Sequence, residues 1–211
     1  MTDALDWQRV HQFSFPPGLD ASADKHREIF LWWFRGGANI SLPQFADRVA
    51  AAKAGRLDAW RAAPQSRLAL ILVLDQFPRS LYAGSAEAYA LDPAALAVAE
   101  EGLRNGHYDA LAHPWEKTFF ILPLAHAEGP DHADRLGRVV ALADKMALEA
   151  PAPLQPIYQH SARQARGNRD VISRYGRFPH RNAILQRATA PDEQAYIDKG
   201  DFVHLRPSPE R

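Results

Sequence analysis

The sequence predicts an all-α fold, a multi-helix antiparallel array. Three observations point to it. Apolar residues recur at three- and four-residue spacing along most of the chain. The segments that carry them are joined by short connections rich in proline and glycine. No group of segments shows the period-two alternation of a sheet. About nine to eleven helices of ~8–20 residues fit this pattern, paired as in a bundle or a solenoid. No sequence repeat of fixed period emerges.

Taken in order, the chain begins weakly. His11-Gln12-Phe13-Ser14-Phe15 reads as a strand or an arm, ended by Pro16-Pro17-Gly18. Residues 1–21 read as an N-terminal arm, 22–203 as a single helical domain, and 204–211 as a loose tail. Ser22 is the expected N-cap of a helix through Arg35, which Gly36-Gly37 stops. Ser41 with Gln44 forms a capping-box pattern ahead of a helix that ends at Gly55. A short turn from Leu57 to Ala62 faces Trp60 inward. Pro64 opens a central helix to Gln76, whose run Leu68–Leu74 is apolar on every side and must be buried.

Asp92-Pro93 reads as an N-cap followed by proline at the first helical position, and Gly106 ends that helix. His113-Pro114 starts an aromatic-rich helix from Trp115 to Leu122. Pro123 and Gly129-Pro130 bracket an irregular corner that holds His126 and Glu128. A long helix from Asp131 to Glu149 follows. Gln155 to Tyr175 reads either as one helix or as two broken at Gly167-Asn168. Thr189 with Asp192 is the expected cap of a last helix that ends at Gly200.

Composition narrows the function classes. The 211 residues suffice for one large domain or two small ones. Lys and Arg number 25 and so do Asp and Glu, so no net field draws nucleic acid or a membrane surface. The absence of cysteine excludes disulfides and thiolate metal sites and fits a reducing cytoplasm. Met1 to Asp6 lacks a basic region followed by an apolar core, so no signal peptide is expected. No His-Glu-x-x-His spacing, glycine-rich phosphate loop or nucleophile elbow occurs. The expectation is a cytoplasmic protein without cofactor or metal, and without nucleic-acid or membrane partners.

Two turns concentrate polar chemistry beside apolar helix. One is Asp75-Gln76-Phe77-Pro78-Arg79. The other is Tyr175-Gly176-Arg177-Phe178-Pro179-His180-Arg181-Asn182. The residue before a proline is pushed out of the helical region, so Phe77 and Phe178 are both expected to be extended. Gly176 suits a left-handed helix C-cap. His180, Arg181 and Asn182 then open the next helix. Asp75 ends the most apolar run of the chain, where an unpaired carboxylate is costly, so it calls for a cationic partner. Seven arginines lie between Arg163 and Arg187. Helical phase puts Arg163, Arg166 and Arg174 on a solvated face paired with Asp170, which leaves Arg177 and Arg181 for other work.

On these residues the chain resembles the bacterial family called domain of unknown function 924. The resemblance rests on Leu74 to Arg79, on Ala90-Leu91-Asp92 with Ala95, on Pro123 to Glu128, and on Tyr175 to Asn182. It covers most of the chain from about residue 27 onward. It implies an all-helical fold similar to tetratricopeptide repeats and names no activity. The family usually has serine at Ala127, often histidine at Asn168, and glycine at Gln186.

The expected function is the binding of a small anionic metabolite in one polar pocket. Asp75, Gln76, Arg79, Arg177, Arg181 and Asn182 would hold it by charge-assisted bonds. His180, His126 and Glu128 are the candidate acid/base residues. The alternative is a tetratricopeptide-like module that binds a peptide, with the same motifs only locking helix corners.

Overall fold

The computed structural model describes residues 6–19 and 22–206. The expected arm and tail lie outside the described residues at 1–5, 20–21 and 207–211. The described residues are all-α: every element among them is a helix or a helical turn. The chain divides into two compact units, Met1–Pro123 and Leu124–Arg211, and each is described by itself.

The first unit is built on α4 (Pro64–Ile71), whose packing partners include α1 (Asp6–Ser14) and α6 (Asp92–Arg104). Residues Leu68 to Leu74 are all buried, as an all-round apolar run requires. The stretch expected as strand or arm is helical instead. Val10 is fully buried, and Trp33 on α2 (Ala23–Phe34) donates its indole N–H to the Ser14 carbonyl at 3.0 Å. Burying that face against the unit outweighs the weak local helix signal. Ser22 caps α2 by accepting the N–H of Lys25. Ser41 makes no side-chain cap to the 3₁₀ turn Leu42–Phe45. The Gln44 amide bonds its carbonyl instead, ahead of α3 (Ala46–Lys53).

Phe77 differs from expectation. It is helical, with φ −63° and ψ −41°. The chain accommodates Pro78 by widening into a π turn over Leu72–Gln76, in which the N–H of Phe77 reaches back to the carbonyl of Leu72. A wider turn moves away the carbonyl that the proline ring would strike. Helix α5 (Phe77–Leu81) then continues the path. Asp92 differs too. Leu91 occupies the N-cap position and Asp92 is the first residue of α6, its carboxylate bonded to Arg79.

Helix α7 (Pro114–His126) runs through Pro123 and ends at His126, so only Ala127 to Asp131 remain as the corner. The second unit begins at its last turn. Helices α8 (His132–Glu149) and α9 (Gln155–Tyr175) pack together as a helical hairpin. Helix α9 is unbroken at Gly167. A side chain there would lie 3.1 Å from Val203, so glycine permits the close approach of the C-terminal segment. Arg166 pairs with Asp144 across the hairpin at 2.6 Å instead of with Asp170. Gly176 ends α9 at φ +70°, as expected. Phe178 is extended, and Pro179–Arg181 forms a single 3₁₀ turn where a longer helix was expected. Ala190, not Thr189, is the N-cap of α10 (Pro191–Lys199). The Glu193 carboxylate accepts its N–H at 2.8 Å.

Candidate functional site

In the first unit, the π turn presents Asp75 to Arg79. Asp75 is completely buried. Arg79 donates to the Asp75 carbonyl at 2.7 Å and lies 3.3 Å from its carboxylate. Its other nitrogen lies 2.9 Å from Asp92. Gln76 donates to the Asp75 carboxylate, and the guanidinium sits 5.7 Å from the centroid of Tyr89. Burial opposes charge on Arg79, yet Asp75 and then Asp92 outweigh it and raise its pKa above the ordinary value. One cation held by two carboxylates is a closed arrangement.

In the second unit, the last carbonyls of α7 set the geometry. A helix leaves four such acceptors without intrahelical partners. Here side chains fill the carbonyls from 124 to 127. Arg135 donates to Leu124 at 2.9 Å and to Ala127 at 2.8 Å. His132 Nε2 lies 2.9 Å from the Ala125 carbonyl. Arg181 donates to His126 at 2.9 Å. Cationic donors also suit the negative end of the helix dipole. This explains the burial of Arg135 and Arg181, while His132, held neutral by burial, caps its carbonyl without charge.

Around this cap lie two carboxylate-guanidinium pairs. Glu128 bonds Arg187 and accepts the N–H of Phe178 at 2.7 Å, while Arg187 donates to the Phe178 carbonyl at 3.0 Å. Arg177 makes a two-pronged bond to Glu193 at 2.6 and 2.8 Å and donates to the Ala188 carbonyl. Asn182, fully buried, donates to Glu193 at 3.2 Å and to Thr189 at 3.3 Å. Arg177 above all, with its neighbours, holds the Glu193 carboxyl down at about 2.

His180 stands apart from these pairs. Its ring lies 5.0 Å from His204 and 5.4 Å from both Phe178 and Phe202. Its Nδ1 is buried without a hydrogen-bond partner, as is Nε of Arg187. Burial, then His204, Arg181 and Arg187, push its pKa down to about 3. His204 is lowered by desolvation first, then by Arg181 and His126. The result is a corner of imidazoles held neutral beside guanidinium groups. An anion placed there would relieve the repulsion that keeps them neutral.

The expected site residues therefore fall into two sets. Asp75, Gln76 and Arg79 belong to the first unit. His126, Glu128, Arg177, His180, Arg181 and Asn182 belong to the second and gather around one corner. Sequence reasoning did not find His132, Arg135, Arg187, Glu193 or His204. Of these, only Arg187 carried a signal, as the last of the seven arginines between Arg163 and Arg187 and the neighbour of Gln186. Among the described residues, no group of three or more His, Asp or Glu side chains is arranged to hold a metal ion. No helix among them is long and apolar enough to cross a membrane.

The sequence pattern of a family described as bacterial protein of unknown function (DUF924) matches residues 11–201. A solved structure of a protein of unknown function from Agrobacterium tumefaciens is similar. It has 33% sequence identity and a TM-score of 0.69, and the match covers 94% of this chain and 100% of that one. No curated protein matches.

Proposed function

We propose, for a chain that belongs to the bacterial protein family of unknown function DUF924, that the second unit binds a small anionic molecule at the imidazole corner. The observation that carries the reading is His180, packed 5.0 Å from His204, its pKa depressed by burial and then by His204, Arg181 and Arg187, with a buried Nδ1 left unbonded. A phosphate or carboxylate group at His180 and His204 would restore protons to both rings and gain charge-assisted bonds. His180, with His126, is then the proton donor or acceptor toward the bound molecule. Glu128 and Arg177 hold the corner together, since both oxygens of Glu128 and the Nε and one terminal nitrogen of Arg177 are bonded within the protein. Asp75, Gln76 and Arg79 serve the first unit in the same structural way.

The test is a titration with inorganic phosphate and a panel of phosphate monoesters and carboxylates. Thermal unfolding and the His180 ring proton signal are followed together. Binding should raise the His180 pKa, and a ligand at 100 times its dissociation constant should add about 2.7 kcal/mol of stability. His180→Gln should abolish the response. A panel that moves neither the His180 signal nor the unfolding temperature would overturn the reading.

A peptide-binding module is the second reading. Two observations favour it. The motif side chains are mostly saturated by one another, and Leu31, Phe34 and Ile40 of the first unit are exposed, Ile40 by 90%. A selected peptide whose binding is lost on Phe34→Ser, with no anion response at His180, would favour this reading over the first.

A further inference from the structure

The segment after α1 and the start of α7 line a half-open cavity of about 340 Å³ in the first unit. Small-molecule pockets fall at roughly 300–1,000 Å³. Glu116 is in its wall and is 4% exposed. Its Oε1 lies 2.9 Å from Nε2 of His11, and its Oε2 accepts the N–H of His113 at 3.3 Å. An ionised carboxylate offers about four acceptor positions, so this buried group has capacity for a further donor. Among the lining residues there is no lysine or arginine to supply it. Beside it, the rings of His113 and Trp115 stack 4.3 Å apart and nearly parallel, at 6°. Phe15 and Leu19 add apolar wall.

We propose that this cavity binds a small organic amine with a planar apolar body. The ammonium group bonds Glu116, and the body lies against the aromatic wall. A charge-assisted bond to a buried carboxylate is stronger than a neutral one, and aromatic faces attract cations. The amide of Gln65, which has no side-chain hydrogen-bond partner among the described residues, supplies a second polar contact at the wall. The site shares no residue with the imidazole corner, so either reading can fail alone.

The experiment is calorimetric titration of the full chain with benzylamine, benzyl alcohol and benzoate as matched probes. Benzylamine should bind saturably. Benzyl alcohol should bind weaker by about tenfold or more, the loss of a charge-assisted bond, and benzoate should not bind measurably. Glu116→Gln should reduce benzylamine binding to the level of the alcohol. Ala112→Phe, at the exposed rim of the cavity, should abolish it without disturbing a buried group, and it decides the matter where Glu116→Gln does not fold. The proposal is overturned if benzylamine does not bind, if benzoate or the alcohol binds as tightly, or if Ala112→Phe leaves amine binding unchanged.

Discussion

Glu128 and Arg187 bond each other and grip opposite ends of one residue: Glu128 takes the N–H of Phe178, and Arg187 donates to its carbonyl. Phe178 is extended, so its N–H enters no helix and needs Glu128, while its carbonyl is shared by Arg187 and, at 3.1 Å, by the N–H of Arg181 at the head of the 3₁₀ turn. Glu128→Ala leaves the Phe178 N–H without its acceptor and Arg187 without its carboxylate. Unfolding in urea should show a loss of about 2–3 kcal/mol, the range for bonds to charged groups. Glu128→Gln keeps an acceptor for the N–H and should lose less. Equal effects of the two would show that the charge of Glu128 is irrelevant.

Gln186 makes the second prediction. It has φ +53°, in the left-handed region that side chains disfavour. The bonds around it form a Schellman motif, with Arg187 N–H on the Asn182 carbonyl at 2.8 Å and Gln186 N–H on the Ala183 carbonyl at 3.2 Å. Glycine is the preferred residue at the left-handed position of that motif. Gln186→Gly should therefore stabilise the protein by about 0.5–1 kcal/mol, the strain relieved less the entropy glycine loses on folding. A drop in melting temperature would count against this.

Some of this arrangement is legible in the sequence because it is local. Ser22 and Gly176 act within a few residues, Ser22 through its hydroxyl oxygen on the Lys25 N–H and Gly176 through a left-handed backbone that glycine adopts without strain. The same local rule misled at Phe77, where the chain widened one turn instead of leaving the helix. The site itself is largely non-local. Arg181 lies 55 positions from the His126 carbonyl that it caps, and His11 lies 105 positions from Glu116. Nothing in the spacing of Arg135 or His132 marks them as caps, since their acceptors are backbone carbonyls of no particular residue type. The sequence called for a cationic partner at Asp75, and Arg79, four positions on, is that partner. The pairs Glu128–Arg187 and Arg177–Glu193 join residues 59 and 16 positions apart, which no local pattern reveals.

Asp75 is the third test. Its carboxylate is fully buried and faces Arg79 from a π turn. Removing one member of a buried pair costs about 3–5 kcal/mol when the other is left uncompensated. Arg79 retains Asp92, so Asp75→Ala should cost somewhat less, about 2–4 kcal/mol. The double change Asp75→Ala with Asp92→Ala should cost more than the sum of the singles, since only then is the guanidinium stranded. Simple additivity in urea melts would show that the two carboxylates act independently.

The last prediction concerns acid. Burial above all pushes His132 down to about 4, and burial with His204, Arg181 and Arg187 pushes His180 down to about 3. In the unfolded chain both titrate near 6.5. Between those values the unfolded chain binds protons that the folded one refuses, so stability falls as pH drops through 6.5 and levels only below the folded values. The slope reaches up to about 1.4 kcal/mol per pH unit for each proton bound by the unfolded state alone. Glu193 acts in the same direction at lower pH. Its folded value of about 2 lies below its ordinary 4.5, so its contribution is present above 4.5 and is lost toward 2. Urea midpoints of the parent should therefore fall steadily from pH 7 to pH 4. His132→Gln retains a donor for the Ala125 carbonyl but cannot titrate, so its curve should be shallower between pH 6.5 and pH 4. Parallel curves for the two proteins over that window would show that His132 takes up its proton in the folded chain as readily as in the unfolded one.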